Sequence, residues 1–335
     1  MILAFDIGGT KIASGLVCPD TWTVHQRATT VTPNHHNHPE ASRDEILAAL
    51  LGCLQAEWRR CSLLADISDC FVAFPAALDP DGFAHVAPTV WGNLPGPAID
   101  VRKLLEPLWP QVQTHVLNDV AASGFAYVAD GHKDFAIFTI GSGVGCKTFI
   151  DGRCITGPRG RGGEIGHLRV DSRKDAPVCD CGSVGHLGAV ASGRGLLNLA
   201  KRIAAEDDAE RVIDPALITN EDLVAAFEHN VPWAIKTVDR GARYLGQVLA
   251  GLHLTVGLED FVFMGGMAHA LGDRFFNAIA KHAEQSCWDD GGDWSQWVGE
   301  MPMKDSALVG GAYFARSAAR RVSPDWPGLM VESAS

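Results

Sequence analysis

No stretch of this 335-residue chain offers the roughly 18 consecutive apolar residues that a membrane-crossing helix needs. No basic segment followed by an apolar core precedes Asp6, so no secretory leader is expected and a cytoplasmic setting is. Polybasic blocks are also missing and the net charge is -12, which argues against nucleic acid or an anionic membrane as a partner. The nine cysteines are odd in number and irregularly spaced, so they do not form a disulfide framework and fit a reducing compartment. Two common nucleotide signatures are absent: no GK[ST] loop opens a helix, and no G-x-G-x-x-G follows a strand. Yet 47% of the residues are hydrophobic, enough for a large core, and the length suggests two domains.

Glycine turns between apolar runs are present. Ile2 to Phe5 is a short apolar run ending in Asp6-Ile7-Gly8-Gly9-Thr10-Lys11, and apolar residues resume at Ile12. This pattern predicts a hairpin whose turn, Gly8 to Lys11, exposes backbone N–H groups. Such a turn can cradle phosphate oxygens, with Asp6 near Mg(II); an ordinary β-turn is the alternative. A second case follows, where Phe135 to Ile140 runs into Gly141-Ser142-Gly143 and Val144. Two copies of one device suggest duplicated halves that clamp a nucleotide, with a chance Gly-rich hairpin as the plainer reading.

Four metal-type ligands fall in one stretch: His167, Cys179, Cys181 and His186, spaced H-x11-C-x-C-x4-H. Two thiolates and two imidazoles make the Cys2His2 set of tetrahedral zinc, although C-x-C is tighter than the usual C-x2-4-C. The alternative is a Gly-rich loop with unrelated thiols and solvated histidines. Elsewhere, Val116 and Leu117 lead into Asn118-Asp119 ahead of a helical pattern, which alone suggests an N-cap. Ser42 and Glu45 form a capping box before the helical spacing Ile46, Leu47, Leu50, Leu54 and Trp58. Thr30 to Glu40 is expected to be an exposed polar loop. Phe261 to Met264 is a strand ending at Gly265-Gly266, where missing side chains let a planar ring approach.

Together these motifs resemble the ROK family of sugar kinases and regulators. The match runs from the Asp6–Lys11 turn through Glu164-Ile165-Gly166-His167 and Cys179-Asp180-Cys181-Gly182 to Ser192-Gly193 and the Gly310-Gly311 helix. The resemblance implies an α/β, two-domain actin-like ATPase fold of ribonuclease H-like topology with a central cleft. We expect the first domain at 1–117, joined by a last helix at 306–319, and the second at 118–305. It further implies ATP, Mg(II) and a structural Zn(II), a small sugar or cyclitol as acceptor, and a homodimer. Asp119 would be the general base. Asn93, Asn118, Glu164 and His167 would hold acceptor hydroxyls, although Asn93 lies in a Pro/Gly turn that aligns loosely. Gly8, Gly9, Thr10, Lys11, Gly141, Ser142 and Gly143 would hold phosphates, with Gly265 and Gly266 at the adenosine.

The chain departs from the family pattern at three places. His186 stands where a third cysteine is usual, which zinc tolerates. Cys146-Lys147 replaces further glycines. Gly188 stands where the family has a sugar-binding Glu, so plain glucose should be a mediocre substrate. A modified or amino hexose, or a C7-cyclitol, is expected ahead of glucose or N-acetylmannosamine. A sugar-responsive repressor of the same family would carry a helix-turn-helix ahead of the first hairpin, and here that hairpin is expected to begin at the first residues.

Overall fold

The fold holds two hairpins, each part of a five-stranded mixed sheet. The structure, a computed structural model, describes residues 1–79, 81–92, 94–206, 214–288 and 291–321. By contacts the chain forms two compact units.

In the first unit the strands are β1 (Ile2–Ile7), β2 (Lys11–Val17), β3 (Val24–Val31) and β4 (Asp69–Phe74), with helix α1 (Arg43–Ser62) before β4. A short pair, β5 (Phe83–Ala84) and β6 (Ile99–Asp100), precedes α2 (Val101–Leu105), β7 (Gln113–Asn118) and α3 (Asp119–Ala129). The sheet order is β3-β2-β1-β4-β7, antiparallel through the hairpin and parallel beyond it.

The second unit holds β8 (Phe135–Ile140), β9 (Val144–Ile150), β10 (Arg153–Cys154), α4 (Leu187–Ala191), α5 (Gly193–Glu206), α6 (Asn220–Glu228) and α7 (Pro232–Val256). It closes with β11 (Phe261–Met264), α8 (Gly266–Ser286), α9 (Trp294–Trp297) and β12 (Val298–Glu300). Its order, β10-β9-β8-β11-β12, repeats the first sheet strand for strand and direction for direction. The expected duplication is therefore present in the topology.

Alternation along β1 explains why both faces of the first sheet are covered. Leu3, Phe5 and Ile7 pack with Ile46, Leu50, Leu54 and Trp58 of α1, where Phe5 stacks on Trp109 at 5.7 Å. Ile2 and Ala4 point the other way, onto Leu308, Ala312 and Ala315 of α10 (Ser306–Arg321). The capping box at α1 forms in full: the Ser42 hydroxyl accepts from the Glu45 amide, and the Ser42 amide donates to Glu45 Oε2 at 2.8 Å. In the second unit Phe138 of β8 stacks on Phe263 of β11 at 4.9 Å, inside a core shared with α5, α7 and α8.

Two expectations need correction. The first unit does not end at residue 117 but runs to His132 and also takes residues 156–161, while the last helix joins it as expected. The reason is α3. Its Ala122 belongs to the same core as α10, and a Cβ on Gly310 would collide with Ala122 O and Ala126 N. Only glycine there lets the two helix backbones approach so closely. Nor is Thr30–Glu40 an exposed loop throughout, because Thr32, Pro33 and Asn34 are buried.

This crossing sets a test. Gly310→Ala should overpack the α3–α10 contact and cost about 1–3 kcal/mol of unfolding free energy. Gly52→Ala, on the exposed face of α1 with open space around it, should be neutral or stabilise by up to about 1 kcal/mol. Chemical denaturation of both variants decides it; a Gly310→Ala protein as stable as the parent would show that the helices do not meet this closely.

Candidate active site and metal centre

The first glycine turn is held from behind. Thr32 Oγ1 donates to Gly8 O at 2.8 Å, Asn34 Nδ2 donates to Gly9 O at 2.8 Å, and the Thr32 amide donates to Thr10 O at 3.1 Å. The carbonyls of Gly8, Gly9 and Thr10 are thereby engaged, and Lys11 O accepts from the Gly8 amide at 2.9 Å. A carbonyl oxygen facing a phosphate would repel it, whereas amide hydrogens attract it. Thr32 and Asn34 are thus structural makers of the turn, and sequence reasoning missed them. Their polar identity alone looked like solvent exposure. Thr89 also packs against the turn, with its Cβ 3.2 Å from where a Gly9 side chain would begin.

The second turn is built in the same way from different residues. Gly141 O accepts from the Gly193 amide at 2.8 Å, Ser142 O from Arg194 Nε at 2.8 Å, and Gly143 O from the Gly141 amide at 3.0 Å. Gly193 sits where α5 begins, and a Cβ there would lie 3.0 Å from Gly141 O, 3.3 Å from Met267 Cε and 3.7 Å from Asn220 Nδ2. The starts of α5, α6 and α8 therefore gather beside this turn. Gly265, at φ 99°, lies against the end of β8, where a Cβ would approach Ile140 O to 2.7 Å. Asn220 Oδ1 is buried without a hydrogen-bond partner. Arg194 and Asn220 escaped the sequence reading because nothing local links them to residue 141.

Asp119 opens α3, and Asn118 is its N-cap. Asn118 Oδ1 accepts from the Val120 and Ala121 amides at 3.0 and 3.2 Å. Its Nδ2 donates to Ala76 O at 3.1 Å and to Asp119 Oδ1 at 2.8 Å. One amide side chain thus caps the helix, as the sequence alone suggests, and orients the neighbouring carboxylate. Asp6, at the end of β1, feels Asp119. Burial pushes its carboxyl up to about 7, aided by the charges of Asp119 and Asp305 and opposed by Lys11 and Arg27. From pH ~4 up to about 7 the folded chain retains a proton that the unfolded chain has lost, so ionising Asp6 subtracts stability as pH rises. Carboxylate oxygens in this arrangement suit a hard divalent cation, whose charge would offset that cost.

In the second unit Glu164 lies one helical step before His167, and its Oε1 accepts from the buried ammonium of Lys147 at 3.0 Å. His167, Cys179, Cys181 and His186 come together: one ligand atom from each lies within 4.8 Å of the others. His167 Nδ1 is 3.9 Å from Cys179 Sγ, and His186 Nδ1 is 3.3 Å from Cys181 Sγ. These spacings and the donor set fit a tetrahedral zinc ion. The backbone amide of Ser183 helps hold the Cys181 thiol down to about 6, which favours the thiolate that such a metal needs. Gly185, at φ 75°, allows the loop to close against Asp171. Arg194 reaches from Ser142 O to Asp180 at 2.5 Å, joining the Cys179–Cys181 loop to the second glycine turn. Gly188 is walled by Gly166 O, 3.2 Å from a Cβ placed there. Of the expected site residues, Asn93 lies outside the described residues.

Comparison with known proteins fits this geometry. The ROK family model matches residues 2–317. A C(7)-cyclitol 7-kinase of Streptomyces hygroscopicus subsp. limoneus is 33% identical over 296 residues, 83% of this chain and 82% of that protein. An N-acetylmannosamine kinase of Shigella flexneri is 33% identical over 276 residues, 81% of this chain and 84% of that one. A ROK hexokinase structure from Thermus thermophilus superposes with a TM-score of 0.72 at 24% identity, covering 96% of this chain and 99% of its own. The fold is thus the two-domain one expected, and with its motifs and nearly its full described length matched, the chain belongs to the ROK family.

Proposed function

We propose that this protein is an ATP-dependent sugar kinase that transfers the γ-phosphoryl group to the primary hydroxyl of a modified sugar or C7-cyclitol. The observation that carries the reading is Asp119, a carboxylate held in place by Asn118 at the start of α3. The similarity to C(7)-cyclitol and N-acetylmannosamine kinases supports the substrate class. Asp119 accepts the hydroxyl proton as the acceptor oxygen bonds to phosphorus and the bond to the ADP oxygen breaks. Asn118, with its own hydrogen bonds committed inside the chain, acts through Asp119. Gly9 to Lys11, and Ser142 and Gly143, offer amide hydrogens to phosphate oxygens, while the Gly8 and Gly141 amides close the turns onto Lys11 O and Gly143 O; Gly265 and Gly266 leave room for the adenosine. Asp6 would hold Mg(II), which supplies positive charge against the phosphates. Glu164 and His167 take acceptor hydroxyls.

The zinc ion would be structural. His167, Cys179, Cys181 and His186 would hold it, fixing the loop that aims His167. Substrate choice follows from Gly188, which offers no side chain to accept a hydroxyl hydrogen. A missing hydrogen bond to a charged acceptor is worth about 1.5–3 kcal/mol, or about 10- to 150-fold in kcat/KM. Glucose and N-acetylmannosamine kinases of central metabolism are the competing assignment. A coupled ADP-release screen over glucose, N-acetylmannosamine and a valiolone-type cyclitol, with Gly188→Glu alongside, tests the choice. The cyclitol should lead for the parent enzyme and glucose should gain in the variant. Glucose leading for the parent would reject the inference from Gly188.

Asp119→Asn should lower kcat by about 10²–10⁴ with nucleotide affinity nearly intact, because only the proton acceptor is lost. Turnover close to that of the parent would remove Asp119 from the base role. Purified protein should contain about one zinc per chain, and Cys181→Ser should release it with a loss of thermal stability. Elemental analysis finding no zinc in active enzyme would overturn the metal assignment.

A further inference from the structure

Lys147 is the one buried lysine among the described residues, at 2% exposure. It lies on β9 opposite Ile137 of β8, beside buried Cys146, so two successive residues of one strand are both enclosed. Its ammonium donates to Gly162 O at 2.7 Å and to Glu164 Oε1 at 3.0 Å. The thiols of Cys146 and Cys154 lie near the same charge. Burial pushes both upward, Cys154 to about 11, so they are neutral and cannot balance it. Glu164 is therefore the ion-pair partner of Lys147, and a buried ammonium without a partner would be strongly disfavoured.

The pair is asymmetric. Lys147 is enclosed, while the Glu164 side chain is 39% exposed. A carboxylate has two oxygens and about four lone-pair sites, and the ammonium bond uses one position on Oε1. That bond does two things. It pins the direction of the carboxylate, and it offsets its charge. An offset carboxylate still accepts hydrogen bonds from neutral hydroxyls but has lost most of its pull on a cation.

We propose that Lys147 is a specificity-determining positioning residue: by pinning and neutralising Glu164, it selects an uncharged polyol acceptor over one bearing an ammonium group. The inference rests on the reading of Glu164 as a ligand of acceptor hydroxyls. It narrows the acceptor class to neutral cyclitols and neutral sugars and sets protonated amino hexoses aside.

The test compares kcat/KM for neutral acceptors, glucose and a valiolone-type cyclitol, with that for protonated glucosamine. The enzymes are the parent, Lys147→Gln, Lys147→Arg and Glu164→Gln. Lys147→Gln keeps an N–H for Gly162 O and removes the charge. It should raise KM for the neutral acceptor about tenfold with kcat within about threefold and KM for ATP unchanged. The ratio of glucosamine to neutral acceptor should move at least tenfold toward glucosamine, and Lys147→Arg should restore the parental preference. Glu164→Gln separates the two layers of the argument. If it leaves acceptor KM unchanged, the reading of Glu164 fails and the inference falls with it. If it raises acceptor KM while Lys147→Gln moves neither KM nor the ratio, the inference alone is overturned. Should the Lys147 variants not fold, Glu164→Gln carries the test itself. Its unpaired ammonium should push the ratio at least tenfold away from glucosamine, and an unchanged ratio overturns the proposal.

Discussion

The structure depends on a constraint of polarity at two glycine turns. A backbone turn offers oxygens as readily as amide hydrogens, and only the hydrogens would suit the phosphates proposed to bind there. In both turns the leading oxygens are engaged by donors from elsewhere in the same unit, Thr32 and Asn34 in the first and Gly193 and Arg194 in the second, and the last oxygen by the turn's own first amide. The hairpins themselves, β1–β2 and β8–β9, provide position, and the strands packed beside them provide rigidity. The same constraint explains the form of the sheets. A turn held at the end of two central strands, buried on both faces, has little freedom to rotate its peptide planes.

The two units solve the problem with unrelated side chains on a repeated topology. A threonine hydroxyl and an asparagine amide serve in one, and a helix-start amide and a guanidinium in the other. Arg194 has a second bond, to Asp180 inside the Cys179–Cys181 loop. The Cys179–Cys181 loop, the second turn and the start of α5 are thus joined within one unit by a single side chain. In the first unit, the Asn118 side chain spends its whole hydrogen-bonding capacity on a helix start, the Ala76 carbonyl and the Asp119 carboxylate.

What could be read in the sequence was local. Gly8-Gly9 between apolar runs, Ser42 with Glu45, Asn118 before a helical pattern, and the His and Cys spacing of 167–186 each state their geometry within a few residues or one loop. Residues acting over long separations stayed hidden. Thr32 and Asn34 sit in a stretch whose polarity suggests solvent, yet the Thr32 hydroxyl and the Asn34 Nδ2 face peptide oxygens. Lys147 breaks the alternation that makes a strand legible, and nothing nearby reveals that Glu164 will meet it. The boundary at 117 was misplaced for a related reason. The helix after it is held by Gly310, almost two hundred positions later, and no local feature of α3 announces that partner.

The engagement of the turn oxygens has a consequence for how such motifs travel. The hexapeptide Asp6 to Lys11 carries the recognisable residues, but not the donors that hold its carbonyls away from an anion. Transplanted into another hairpin without counterparts of Thr32 and Asn34, the same six residues would be free to flip their peptide planes and present oxygen. The portable module is therefore the turn together with the buried segment that follows β3, a piece more than twenty residues longer than the visible signature.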